Sequence, residues 1–215
     1  MFCMVIAHLT PAEILNLLPK SAMAEIRLDL LDLQLAELRR IFTAHPRLVA
    51  TCRPGRFSDD VRQLLLTEAL RNGAAYVDIE CDASEAYRQT LQTEASRAKA
   101  KVIISYHNYE CTPARLALRR ILRHCEALTG DLVKLVTYCH ERQDQIRLRE
   151  LYDWNKKPLI AFGMGNFGIE SRLTALRRGA PFVYVAAAAE QATAPGQPTA
   201  TDLLNFKGRE SANAG

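Results

Sequence analysis

Several things are scarce in this chain, and each scarcity closes off a class of function. Among 215 residues there is one tryptophan, and aromatic residues make up 7% of the total. No basic stretch is interleaved with aromatics, so a nucleic-acid surface has no support. The six cysteines (Cys3, Cys52, Cys81, Cys111, Cys125, Cys139) contain no C-x-x-C pair. That argues against a metal site and against a disulfide framework. Scattered thiols in or beside apolar strands act as small hydrophobes and suit a reducing compartment, so a cytoplasmic protein is expected. The segment 1–7 is too short, and lacks the charged flank, for a signal peptide. No apolar run approaches the roughly 18–20 residues of a membrane span. The ten glycines never form G-x-G-x-x-G after a strand, which removes the main sign of a dinucleotide-binding sheet. Charge of one sign is not concentrated either. The net charge of +4 comes mostly from arginines spread along helices, such as Arg39, Arg40, Arg119, Arg120, Arg177 and Arg178.

What is present is a regular alternation of short apolar runs and helix-period segments. Read as strands, the runs are 3–7, 24–29, 47–52, 76–80, 101–106, 132–137, 158–162 and 181–186. Between them, Thr10-Pro11-Ala12-Glu13 has the form of a capping box with proline at the first helical position, and Thr112-Pro113 repeats the cap-then-proline pattern. Ser58 can cap a further helix, which Asn72-Gly73 closes at a position suited to left-handed backbone. Strict strand–helix alternation predicts a parallel sheet with right-handed crossovers. Eight such units close as a single (β/α)8 TIM barrel of the α/β class. An open doubly wound sheet is the alternative, and the missing glycine motif speaks against it. The barrel is assigned to residues 1–206. The small polar segment 207–215 is expected to be a flexible tail, either an end or a cut linker to a second domain.

The sixth strand, Leu132-Val133-Lys134-Leu135-Val136-Thr137, carries a lysine in mid-strand, where a parallel sheet normally has a continuous apolar run. From this segment alone, a lysine snorkelling from an edge strand and a buried nucleophile for Schiff-base chemistry are equally good accounts. Strand parity separates them. Alternate side chains share a face, which groups Glu25 with Arg27 and Asp29, Thr51 with Arg53, Tyr76 with Asp78 and Glu80, Ser105 with His107, and Lys134 with Leu132 and Val136. The outer face of a barrel packs on helices and must be apolar, so the charged faces look inward. A barrel selected only for stability would fill these positions with aliphatic residues. The pattern therefore points to a site, with a purely structural ion network as the alternative. The other lysines fall at helix ends, loops or strand starts. Among the histidines, only His107 combines the C-terminal end of a strand with inward parity. An interior lysine beside a histidine suits proton removal next to a ketone, because an iminium is an electron sink and imidazole titrates near working pH. Arg27, Arg53 and Arg172 around the mouth imply an anionic substrate, most simply a carboxylate.

These residues resemble a family. Glu25-Ile26-Arg27-Leu28-Asp29, Thr51-Cys52-Arg53, Tyr76-Val77-Asp78-Ile79-Glu80 and Ile104-Ser105-Tyr106-His107-Asn108-Tyr109 are similar in kind and order to type I 3-dehydroquinate dehydratase of the shikimate pathway. So are Val133-Lys134-Leu135, Gly163-Met164-Gly165, Ser171-Arg172-Leu173 and Ala194-Pro195-Gly196-Gln197. The resemblance spans about residues 3–206 and is closest to the dehydratase part of plant and chlamydial bifunctional proteins. It implies that Lys134 forms an iminium with the C3 ketone of 3-dehydroquinate and that His107 serves as general acid and base for a syn elimination of water. It further implies that Glu25 and Arg27 bind hydroxyls. Arg53, Arg172 and Gln197 would hold the carboxylate and remaining hydroxyls, and Thr193 would sit in a loop that closes over the ligand. No metal or cofactor is implied. A homodimer, or fusion to a shikimate dehydrogenase domain, is the partnership that goes with it. The chain departs from the pattern at Phe57, where many relatives have a glutamate, and in an alanine-rich stretch between Tyr184 and Thr193 that is longer than usual. Another Schiff-base barrel of aldolase type, or a non-catalytic binding barrel, are the competing accounts.

Overall fold

The computed structural model describes the backbone of residues 1–212 and side chains as far as residue 206. Eight parallel strands, β1 (Phe2–Ile6), β2 (Ala24–Arg27), β3 (Leu48–Thr51), β4 (Tyr76–Glu80), β5 (Lys101–Asn108), β6 (Leu132–Tyr138), β7 (Leu159–Met164) and β8 (Val183–Ala186), form one sheet in the order β7-β6-β5-β4-β3-β2-β1-β8. Helices α1 (Pro11–Leu17), α2 (Leu35–Thr43), α3 (Asp59–Arg71), α4 (Glu85–Ala98), α5 (Arg115–Ala127), α6 (Arg142–Glu150), α7 (Gly168–Arg177) and α8 (Ala200–Ala212) alternate with them. This is the (β/α)8 barrel predicted from sequence, closed by backbone ladders everywhere but between β7 and β8. No helix among the described residues is long and apolar enough to cross a membrane.

Local chemistry sets the element ends. At α1, Thr10 and Glu13 form the reciprocal capping box, with Pro11 following. Ser58 and Ser84 accept from the backbone amides of Val61 and Tyr87 at the starts of α3 and α4. Gly73 follows α3 at φ +107°, a backbone that glycine adopts without a side-chain clash. Two expectations need correction. Strand β2 leaves the sheet after Arg27, because residues Leu28–Leu30 wind into a short 3-10 turn. Thr112 does not cap α5, which starts at Arg115 behind Ala114. Its hydroxyl is taken up by Thr137 Oγ1 at 2.7 Å and Tyr138 O at 2.8 Å. The last helix, α8, runs Ala200–Ala212. The side chains of the expected tail, 207–215, lie outside the described residues.

Two apolar clusters follow from the alternation of strand side chains. Outward residues such as Ile26, Ala50, Val77, Ile104, Val133 and Leu159 pack under helix residues Leu38, Ile41, Leu66, Leu91, Leu118 and Leu148. Inward residues Val49, Ile103, Leu132, Ile160, Phe162, Phe182 and Tyr184 fill the barrel. The seam between β7 and β8 is bridged by a side chain. Arg172 of α7, 1% exposed, donates from Nε to Tyr184 O at 2.9 Å and from Nη1 to Gly163 O at 3.4 Å and Gly168 O at 2.9 Å.

Candidate active site

At the C-terminal ends of the strands lies a cleft of about 440 Å³, lined by Glu25, Arg27, Arg53, His107, Lys134, Arg172, Thr193 and Gln197. The structure thus brings together all eight residues singled out from sequence. Val5, Val136, Phe162, Met164 and Tyr184 supply its apolar walls.

Lys134 is 5% exposed. Its Nζ lies 3.1 Å from Asp78 Oδ2 and 3.6 Å from Glu25 Oε1, and 4.0 Å from the centre of the Tyr184 ring. Register explains the grouping, because Ser105 of β5 stands opposite Lys134 and Glu80 of β4 opposite Ser105. Glu25 is itself fixed by Thr51, whose hydroxyl donates to Oε1 at 2.9 Å. Asp78 is clasped by Arg53 through two bonds of 2.9 and 2.7 Å and accepts from Ser105 Oγ at 2.5 Å. Burial alone would raise the Asp78 carboxyl, but the charges of Arg53 and Lys134 outweigh it and hold it well below the usual carboxylate range. An isolated buried charge would cost several kcal/mol; here each has a partner.

The three arginines expected to bind substrate differ. Both terminal nitrogens of Arg53 are committed, to Asp78, to Glu80 Oε1 at 2.6 Å and to Ser105 Oγ at 2.9 Å. Against burial, which would lower it, Asp78 and Glu80 push its pKa well up. Arg172 has carbonyl partners and the Phe162 ring, 4.3 Å from its guanidinium carbon, but no carboxylate among the described residues. Burial pushes its pKa down to about 9, a measure of how poorly its charge is compensated. It is therefore the cation with most to gain from an incoming anion. Arg27 is paired with Asp29 at 2.6 and 3.0 Å.

His107 sits at the end of β5, half-buried, with its ring stacked near Tyr109 at 6.0 Å and an interplanar angle of 14°. Burial first, and then the Arg53 and Lys134 charges, lower its pKa well below the ordinary imidazole value. It is therefore neutral at pH 7 and able to accept a proton. Phe57 packs against the outer core and under Arg56, 4.8 Å from the guanidinium carbon. No carboxylate bonds to His107 among the described hydrogen bonds. The loop after β8 lies across the mouth. Gln197 Oε1 accepts from Thr193 N at 2.7 Å and from Thr193 Oγ1 at 3.1 Å, and Gly165 N donates to Pro195 O at 2.8 Å. Gly196, at φ +67°, lies so close to Gly165 that a Cβ would stand 1.9 Å from its carbonyl oxygen. Only glycine allows that docking.

Two residues escaped the sequence reading. Tyr184 follows Phe182 in inward parity, so the rule that found Lys134 could have found it. Its hydroxyl is buried without a hydrogen-bond partner among the described residues. Burial, and then Glu25, push that phenol well up, so it stays protonated. Arg62 of α3 is buried together with Leu66, Ala69 and Leu70. Positions i, i+4, i+7 and i+8 form one helical face, and an arginine in that apolar series was the available signal.

Comparison with known proteins agrees with this geometry. A family profile described as type I 3-dehydroquinase matches residues 2–207. A 3-dehydroquinate dehydratase from Desulfotalea psychrophila is 32% identical over 194 residues, covering 86% of this chain and 85% of that protein. A bifunctional 3-dehydroquinate dehydratase/shikimate dehydrogenase from Arabidopsis thaliana is 30% identical, and the match covers 86% of this chain and 32% of the longer one. Among solved structures, the 3-dehydroquinate dehydratase from Aquifex aeolicus superposes with a TM-score of 0.79 at 26% identity, covering 97% of this chain and 98% of that one.

Proposed function

This chain belongs to the type I 3-dehydroquinase family, and from that membership we propose that its cleft dehydrates 3-dehydroquinate to 3-dehydroshikimate, a step of the shikimate route, through an imine on Lys134. The observation that carries the assignment is the placement around one cleft of a buried lysine, a histidine whose pKa is lowered, and an arginine with no carboxylate partner among the described residues.

The substrate carboxylate meets Arg172, and Gln197 and Thr193 in the overlying loop hold it from above. Glu25 and Arg27 face the ring hydroxyls. The Lys134 amine adds to the C3 ketone, and loss of water leaves an iminium. Asp78 and Glu25, 3.1 and 3.6 Å from Lys134 Nζ, stabilise the positive charge of the iminium. His107 takes the C2 proton, and the bonding electrons pass to the iminium as an enamine. The enamine expels the C1 hydroxyl, which leaves as water with the proton that His107 returns. Hydrolysis of the imine then frees product and lysine, so the balance is one substrate to one product and one water. A cytoplasmic enzyme, as a homodimer or as part of a fusion, completes the proposal, and sedimentation velocity on the purified chain tests its assembly.

The direct test is incubation with 3-dehydroquinate and borohydride, followed by intact mass and peptide mapping. A reduced adduct on Lys134, with a rise in ultraviolet absorbance from the conjugated product in untreated samples, is expected. Absence of both would reject the assignment.

A further inference from the structure

The interior charges are not balanced by the barrel strands alone. Arg27 is occupied by Asp29, which leaves Glu25, Asp78 and Glu80 facing Arg53 and Lys134. Glu80 has a second cationic partner, which reaches it from outside the wall. Arg62 of α3, 3% exposed, donates from Nη2 to Glu80 Oε2 at 2.8 Å, from Nη1 to Asp59 at 2.6 Å and from Nε to Cys52 O at 2.9 Å. Its guanidinium carbon stands 5.1 Å from the centre of the Tyr87 ring. The other Glu80 oxygen accepts from Arg53 at 2.6 Å, Arg53 clasps Asp78, and Asp78 Oδ2 lies 3.1 Å from Lys134 Nζ. Contacts run unbroken from the helix to the amine, although neither Arg62 nor Glu80 lines the cleft.

We propose that Arg62 is a positioning residue for the imine chemistry: by holding Glu80 it keeps Arg53 seated on Asp78 and the surroundings of Lys134 electrically balanced. This rests on Lys134 being the imine-forming residue. Arg53 Nη1 already divides itself among Glu80, Asp78 and Ser105. Without the Arg62 charge, Glu80 turns wholly to Arg53 and draws it off Asp78, and the interior gains one negative charge. Both changes favour Lys134 as an ammonium, which cannot attack a ketone. The groups that bear on Lys134 are Glu25 from β2, Asp78 from β4, Tyr184 from β8, His107 from β5, Cys3 from β1 and, behind Asp78, Arg53. Those that bear on Arg62 are Asp59, Glu80, Tyr87 and Cys52. Among the described residues, the Glu80–Arg53–Asp78 line connects the two sets through side-chain ion pairs.

The experiment follows borohydride trapping of 3-dehydroquinate against pH in the wild-type chain, Arg62→Gln, Arg62→Lys and the double variant Arg62→Gln/Glu80→Gln. Arg62→Gln should move the midpoint of trapping up by about one pH unit, the size expected for one charge removed beyond direct contact in a medium of intermediate dielectric. Trapping near neutrality should fall about tenfold, with KM close to wild type. Arg62→Lys should recover most of the rate. The double variant, which restores neutrality without restoring the arginine, should return the midpoint toward wild type. A folded Arg62→Gln with an unmoved midpoint, or a double variant no nearer wild type than the single, overturns the proposal and leaves Arg62 a structural strut. Should Arg62→Gln fail to fold, Glu80→Gln alone carries the test, with a midpoint expected to move down; an unmoved midpoint again overturns the proposal. A wild-type chain that forms no adduct would instead overturn the Schiff-base assignment on which it stands.

Discussion

Near the strand starts, the barrel interior is filled by Val49, Tyr76, Ile103, Leu132, Ile160 and Phe182. Two residues further along the same strands stand Thr51, Asp78, Ser105, Lys134, Phe162 and Tyr184. The two layers share backbone, parity and close to the same depth, yet one is largely apolar and the other carries charge on one side of the barrel only. In the second layer β3 to β6 contribute polar groups, while β7 and β8 contribute aromatic rings. The apolar layer excludes water beneath Lys134, which strengthens every charge interaction above it. Stability and chemistry are thus separated by a single step of the strand repeat, and substitutions in the two layers should fail in different ways.

The largest effect belongs to the charged layer. Lys134→Ala should lose turnover by about 10⁴-fold or more and give no borohydride adduct by mass, while far-ultraviolet circular dichroism stays that of a folded barrel; residual wild-type turnover would break the separation. His107→Ala, next in size, should lower kcat by about 10²–10⁴-fold yet still trap an imine. Because burial and neighbouring cations hold His107 well below the ordinary imidazole range, the acid limb of kcat/KM in the wild-type enzyme should also fall below that range. A limb at or above about pH 6.5 would contradict the assignment.

In the apolar layer the cost moves to folding. Ile103→Ala should destabilise by about 2–5 kcal/mol, read from urea unfolding, with kcat much less affected than in either variant above. The smallest effect sharpens the contrast through pH. Asp78 binds its proton more weakly in the folded chain than in the unfolded one. Its contribution to stability is therefore complete above the unfolded value of about 3.9 and is lost as pH falls from there toward the folded value. Urea midpoints for the wild-type chain should drop below about pH 4 more steeply than those for Asp78→Asn; parallel curves would show that the pair with Arg53 contributes nothing.

Sequence carried the barrel, and the strand-borne part of the site, because both depend on one local rule. A period of two in each strand places Glu25, Asp78, His107 and Lys134 inside without knowledge of any contact. The same rule reaches Tyr184. It does not reach the helices. Arg62 and Arg172 arrive at the interior from α3 and α7, and whether an arginine there faces solvent or the core depends on packing between elements far apart in the chain. Ends of elements were also hidden where a distant partner decides them. Thr112 has the spacing of a cap, but the end of β6 supplies better partners for its hydroxyl. The commitment of Arg53 to Asp78 and Glu80 needed distances, since composition treats it and Arg172 alike.

The missing ladder between β7 and β8 has a mechanical consequence. Around the rest of the barrel, widening the mouth would mean breaking rows of backbone hydrogen bonds between strands. At the seam it means lengthening two bonds from one guanidinium, that of Arg172, to the carbonyls of Gly163 and Tyr184, together with the bond from Gly165 N to Pro195 O. The barrel resembles a ring with a clasp, and the clasp is itself a wall of the cleft. A ligand anion gripped by Arg172 would fasten the ring on arrival, so that entry and tightening meet at one side chain.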